Sequence, residues 1–152
     1  MQSNCRNIYR TARLVAGYTQ EKAAEMLGIS VRSLSDYEGG VRLPPNEVVN
    51  DMVMCYNYQP LGLQHIRNAS EVAQRLLPEI QDIVRLPEAV LTLVDAIYDF
   101  ADDKDDRALI DIARDGKVDE AERVRFERIT EKLNIIIAAA MAVRCAQTGE
   151  ET

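Results

Sequence analysis

The sequence predicts an all-α protein, and three observations carry that prediction. No useful stretch alternates apolar and polar residues, whereas apolar residues recur at steps of three and four along most of the chain. The interruptions are helix punctuation: Gly28, Gly39-Gly40, Pro44-Pro45, Pro60, Pro78, Pro87 and Asp115-Gly116. Charge then divides the 152 residues into two modules. Residues 1–67 hold seven Lys/Arg and six Asp/Glu, net +1, while residues 68–152 hold eleven and nineteen, net −8. Two small helical domains are expected, at 1–67 and 70–149.

In the first half the spacing predicts helices near 4–16, 19–27, 30–38, 46–56 and 60–67. Thr19 suits an N-cap, with Ala23, Ala24, Met26 and Leu27 forming the inner face of the helix it opens. Gly28 ends that helix in a position where the left-handed conformation costs glycine least. Ser30 caps the next one, whose Leu34 and Tyr37 point inward and leave Val31, Arg32, Ser33, Ser35 and Asp36 outside. Two helices joined by three residues around a Gly make a helix-turn-helix.

In the second half Ser70 is a plausible cap for SEVAQRLLPEIQDIVRL, which Pro78 kinks or breaks. Pro87 belongs in the first turn of the following helix, where Val90, Leu93, Val94, Ile97 and Tyr98 form an apolar stripe. The run DDKDD (102–106) reads as a solvated corner before the short helix RALIDIAR. A last helix is expected from about Asp119 to about Cys145, with Phe126, Ile129, Leu133, Ile136, Ala140 and Val143 on one face. Its segment 135–140 is apolar nearly all round, which implies enclosure by protein, either the C-terminal bundle itself or, the reading preferred because the preceding helices are few and short, a second subunit.

Several function classes lack residues to support them. Cys5, Cys55 and Cys145 are far apart and in no Cys-x-x-Cys spacing, so neither a disulfide framework nor a zinc site is expected. His65 is the only histidine and has no nucleophile context around it, so no enzyme is expected. No Gly-rich phosphate loop is present, and no cofactor is expected. The longest apolar run, at 135–143, is about half of the roughly 20 residues a membrane span needs, and no secretory leader is evident. A cytoplasmic location follows as the expectation. Asp111 to Glu122 partly matches a calcium loop, but Ala113 and Lys117 stand at two of its positions. A cap pair formed by Asp119 and Glu122 explains the same residues without a metal.

The stretch AGYTQEKAAEMLGISVRSLSDYEGGVRLP resembles the Cro/XRE, or phage-repressor-like, helix-turn-helix family. The matching positions are Arg13, Gly17, Thr19, Gln20, Ala23, Ala24, Leu27, Gly28, Ile29, Ser30, Leu34, Ser35, Glu38, Gly40, Arg42 and Pro44. Val49, Met52, Val53 and Tyr56 match the apolar face of the family's fourth helix, so the resemblance covers about residues 6–66. It implies a five-helix lambda-repressor-like domain whose helix 30–38 enters the major groove of double-stranded DNA. By the same resemblance Val31, Arg32, Ser35 and Asp36 would meet base edges, with Arg32 the strongest through a bidentate guanine pair. Thr19, Gln20, Ser33 and Arg42 would contact phosphates. Arg13 and Glu38 would form an internal ion pair. At positions 36 and 41, where the family often carries basic or polar side chains, this chain has Asp and Val.

The function these residues imply is a sequence-specific transcriptional regulator, a repressor, acting as a homodimer through its C-terminal helices. The competing expectation is a protein-interaction component, such as an antitoxin or phage accessory factor, whose acidic half engages a protein.

Overall fold

Side-chain caps open four of the described helices, and prolines or tight turns start most of the others. A computed structural model describes residues 7–79 and 85–146, and among these residues nine helices and no strand occur. The expected helix start at residues 4–6 lies outside the described residues. Helix α1, Ile8–Val15, opens at Asn7, whose side chain accepts from the Arg10 N–H at 3.1 Å. Helix α2, Gln20–Leu27, opens at Thr19, whose hydroxyl accepts from the Lys22 N–H at 3.2 Å. It closes at Gly28 with φ 64°, and the Ile29 N–H reaches back to Ala24 O at 3.1 Å. That six-residue closure needs a left-handed residue at its corner, which is why Gly stands there. Ser30 caps α3, Val31–Glu38, by accepting from the Ser33 N–H at 3.0 Å. Helix α4, Asn46–Tyr56, follows Pro45, and α5, Pro60–Ala69, runs two residues beyond the expected 60–67. Helix α6, Glu71–Leu76, is capped by Ser70 and ends before Pro78; the expected continuation over 80–84 lies outside the described residues.

The chain divides into two compact units, residues 1–77 and 78–152. In the first, α2 packs on both α3 and α4, while α1 packs on α3, α4 and α5. Ala12, Ala23 and Ala24 are buried at these crossings, and their small size lets the backbones approach closely. Leu34, Tyr37, Val49, Met52, Tyr56, Tyr58 and Leu61 fill the core. Met26, expected on the inner face of α2, stays 37% exposed. Helix α6 packs on α5 and so lies in this unit, its tie reinforced by Arg67 Nε donating to Leu77 O at 3.2 Å.

His65 proves to be a packing residue that holds three helices together. Its Nδ1 lies 2.8 Å from the Tyr9 hydroxyl of α1, and its Nε2 lies 3.0 Å from Asn46 Oδ1 at the start of α4. A proton on Nε2 satisfies both, since Asn46 Oδ1 can only accept and the Tyr9 hydroxyl can donate to the free Nδ1. Burial holds the ring below its ordinary pKa, which favours that neutral form.

The second unit contains α7, Leu86–Asp102, with Pro87 in its first turn, then α8, Asp105–Ile112, and α9, Arg123–Cys145. Ala108, Ile112 and Ile129 form its core, with Phe100, Leu109, Phe126 and Leu133 packed around them. Before α9, Asp119 Oδ1 accepts from the Glu122 N–H at 2.9 Å, and Glu122 Oε2 accepts from the Asp119 N–H at 3.3 Å. This reciprocal pair is the cap reading of the calcium-like stretch, and it leaves both carboxylates engaged with backbone.

Two expectations for this unit need correction. The DDKDD corner is not simply solvated: Asp105 is fully buried, accepting from Lys132 Nζ at 2.8 Å and from Arg128 Nη2 at 3.5 Å. Lys104 adopts φ 57°, which turns the chain sharply enough to send Asp105 under α9. Lys132 also binds Asp103; that hydrogen bond lowers the Asp103 carboxyl and raises the Lys132 amine. The α7 stripe is also mostly outside. Leu93 is half-buried, but Val90, Val94, Ile97 and Tyr98 are exposed, and Leu86, Ala89, Ala96 and Phe100 line the inner side instead. At about 100° per residue the apolar arc of α7, from Ala96 round to Leu91, covers roughly 220°. Periodicity alone cannot say which part of so wide an arc meets α9.

Candidate nucleic-acid interface

The turn between α2 and α3 sets where the outward side chains of α3 stand. With Leu34 and Tyr37 locked into the core, the helix has no rotational freedom, and Val31, Arg32 and Ser35 face solvent. Ser33 is half-buried, and its hydroxyl accepts from the Ser30 hydroxyl at 2.9 Å, an engagement at the helix start. Three of the four implied base-reading positions thus share one open face.

Asp36, the fourth, is turned toward the chain that follows. Its carboxylate lies 3.9 Å from Arg42 Nε, and the Arg42 guanidinium sits 4.7 Å from the centre of the Tyr37 ring. An acid and an aromatic face together hold a cation that would otherwise swing freely. The spacing of 36, 37 and 42 in the sequence carried no sign of this, because the turn through Gly39 and Gly40 brings them together.

A single carboxylate ties the three N-terminal helices. Arg13 donates through Nε to Glu38 Oε1 at 2.6 Å and through Nη2 to Oε2 at 2.9 Å, and its Nη1 reaches Tyr18 O at 2.7 Å. Gln20 Nε2 donates to the same Oε2 at 2.8 Å. The two charged side chains are only 7% and 3% exposed, so the bidentate geometry operates where water screens it little. That hydrogen bonding to the Glu38 carboxylate raises the already high pKa of Arg13. The ion pair anticipated between α1 and α3 is therefore present, and Gln20 is oriented by it.

An open cleft of about 550 Å³ lies over this cluster, with Arg10, Thr19, Gln20 and Ser35 among its lining residues. It brings two of the implied phosphate residues, Thr19 and Gln20, beside an implied base reader and beside the start of α2, where unpaired N–H groups gather. Arg10, a surface cation on α1, joins them; it carries no motif signal of its own. Asn7 was also silent in the sequence, yet its Nδ2 donates to Tyr37 O at 2.8 Å and anchors the end of α3 to the start of α1.

A glycine-cornered helix pair, its second helix held by a core on one side and open on the other, defines a helix-turn-helix protein. Residues 10–63 match the family described as helix-turn-helix, and this part of the chain is a helix-turn-helix domain of the Cro/XRE type. The match of this stretch supports a DNA-binding regulator of the XRE type. No curated protein matches the chain, and no solved structure does. Among the described residues no helix is long and apolar enough to cross a membrane.

Proposed function

We propose that the chain is a sequence-specific, double-stranded-DNA-binding transcriptional repressor of the cytoplasm, reading the major groove with α3 as a homodimer. The open face of Val31, Arg32 and Ser35 beside the α2 cleft carries this reading. Arg32 supplies the fork that fits guanine O6 and N7, and Val31 suits a thymine methyl. Thr19, Gln20, Ser33 and Arg42 take the phosphates, and their contacts set orientation and not sequence. Asp36, although expected to meet a base edge, acts on binding through the Arg42 that it steadies, and so affects all sequences alike. A paired module is needed because one such domain binds weakly, and two copies about 34 Å apart meet successive grooves. The C-terminal helices join the copies, and polymerase is excluded from the bound site.

The test is a footprint over the DNA upstream of the coding region, followed by titration of wild type and variants at fixed salt. Arg32→Ala is expected to lose about 1–3 kcal/mol of discrimination at one base pair. Arg42→Ala is expected to weaken all sequences alike and lower the salt slope by about one. Asp36→Asn, which frees Arg42, is expected to act in the same uniform way but less strongly. Unchanged binding in both arginine variants would remove the groove assignment. The net −8 of residues 68–152 favours a second reading, a protein-interaction component of the antitoxin or phage accessory type; copurification of a basic protein together with no footprint would select it.

A further inference from the structure

Helix α7 has two apolar sides and, within its own unit, one use for them. Its inner side, Ala89, Leu93, Ala96 and Phe100, is half-buried or buried, with α9 as its main neighbour. The adjoining side leaves Val90 40%, Leu91 63%, Val94 37%, Ile97 47% and Tyr98 62% exposed. A helix packed along one side needs an apolar stripe of about 100°, and α7, whose inner side meets α9 and, at Phe100, α8, carries about twice that.

Helix α9 continues the same surface. Lys132, ten residues into α9, reaches Asp99 O and Asp103 near the end of α7. The rest of α9 therefore runs back along α7, and the two helices are antiparallel. In an antiparallel pair, residues rotated in the same sense from the two contact lines emerge on the same side. Stepping forward from Leu93 and Ala96 gives Val94 and Ile97; stepping forward from Ile136 gives Ile137, which is 42% exposed.

We propose that this side of the α7–α9 pair is the seam on which a second copy of the chain docks, the two copies related by a two-fold axis. Charge selects the occupant. Residues 78–152 hold ten Lys/Arg and eighteen Asp/Glu, net −8, so two copies repel each other over most of their surface. The acids of α7, Glu88, Asp95, Asp99 and Asp102, lie on the turn of the helix away from Val90, Val94 and Ile97. The α7 part of the face bears no charge. A basic partner would gain nothing there and would settle on the acidic side, whereas a like surface meets itself without penalty.

Size agrees. The 17 residues of α7 extend roughly 25 Å, and two helix widths add roughly 20 Å. With side-chain relief, that patch is on the order of the ~800 Å² that each partner contributes to a stable complex. The seam also differs from the one the sequence suggested. Within the all-apolar run 135–140, Ile136, Ala139 and Ala140 already face inward, so α7 supplies most of the free surface.

This inference rests on the homodimer part of the proposed function and is independent of its DNA part. The experiment is sedimentation equilibrium of the full chain without DNA at concentrations up to ~100 μM, with far-ultraviolet circular dichroism of each variant. Wild type is expected at twice 17.1 kDa. Val94→Glu and Tyr98→Lys are expected to retain helix content and raise the dimer dissociation constant at least ~30-fold. Ile110→Glu, a change at a residue 67% exposed on α8, is expected to leave the dimer intact. A wild-type chain at 17.1 kDa throughout overturns the proposal, as does a dimer that survives both α7 changes. A chain that dimerises through this seam yet ignores DNA refutes only the DNA reading; one that binds DNA as a monomer refutes the seam and the homodimer together and leaves the DNA contacts standing.

Discussion

Glu38→Ala is the change that tests how the helix-turn-helix is held. It removes the acceptor of three hydrogen bonds, two from Arg13 and one from Gln20, and leaves a guanidinium whose side chain is 7% exposed. The Tyr18 carbonyl still accepts from Nη1, but no counter-charge remains. Breaking a buried pair by removing one partner costs about 3–5 kcal/mol, against roughly 4–12 kcal/mol for a unit of 77 residues. Five of the six tyrosines lie in this unit, and the chain has no tryptophan, so the near-ultraviolet tyrosine circular dichroism reports on it selectively. For a slope of about 1.5 kcal/mol/M, the urea midpoint should fall by about 2 M or more. Pairing Arg13→Met with Glu38→Leu should restore most of that stability, because apolar replacements leave no stranded charge. The restored variant should still bind DNA less well, since Gln20 has lost the group that orients it. A Glu38→Ala midpoint within ~0.3 M of wild type would refute the claim that this carboxylate joins the three helices.

Two further outcomes are expected from buried polar groups in the same unit. His65 has a folded pKa below its ordinary 6.5, so between the two values the unfolded chain binds a proton that the folded chain does not. Stability present above about pH 6.5 is therefore lost as pH falls through the folded value, and His65→Gln should flatten the urea-midpoint slope between about pH 7.5 and 5.5; an unchanged slope would exonerate the histidine, the only one in the chain. Among the described residues the buried Tyr56 hydroxyl has no hydrogen-bond partner, and desolvation pushes its pKa up. Tyr56→Phe should raise the melting temperature or leave it unchanged, since it removes a stranded group worth about 1–3 kcal/mol; a clear drop in that temperature would mean the hydroxyl is satisfied in solution.

What could be read before folding was local. Caps at Thr19, Ser30 and Ser70, the glycine corner at 28, the proline in the first turn of α7 and the Asp119–Glu122 pair all act within a few residues, and their chemistry is complete in the sequence. The spacing of Leu34 and Tyr37 likewise settles which side of α3 is open, because a helix of known period cannot bury one face without exposing the other. Family resemblance added the pairing of Arg13 with Glu38, which no local rule contains.

The groups that remained illegible are those whose partners come from distant turns. Asp36 looked like an outward acid until the Gly39-Gly40 turn returned Arg42 to it. Asp105 looked solvated within its charged run until α9 closed over it with Lys132 and Arg128. His65 gave no hint of Tyr9 or Asn46, which lie 56 and 19 residues away. Helix α7 is the limiting case: its pattern determined that it is apolar over more than half its circumference, and only the packing of α9 decided which part is core and which part is left for another surface. Hydrophobic periodicity records how much area must leave water, and carries no record of what will cover it.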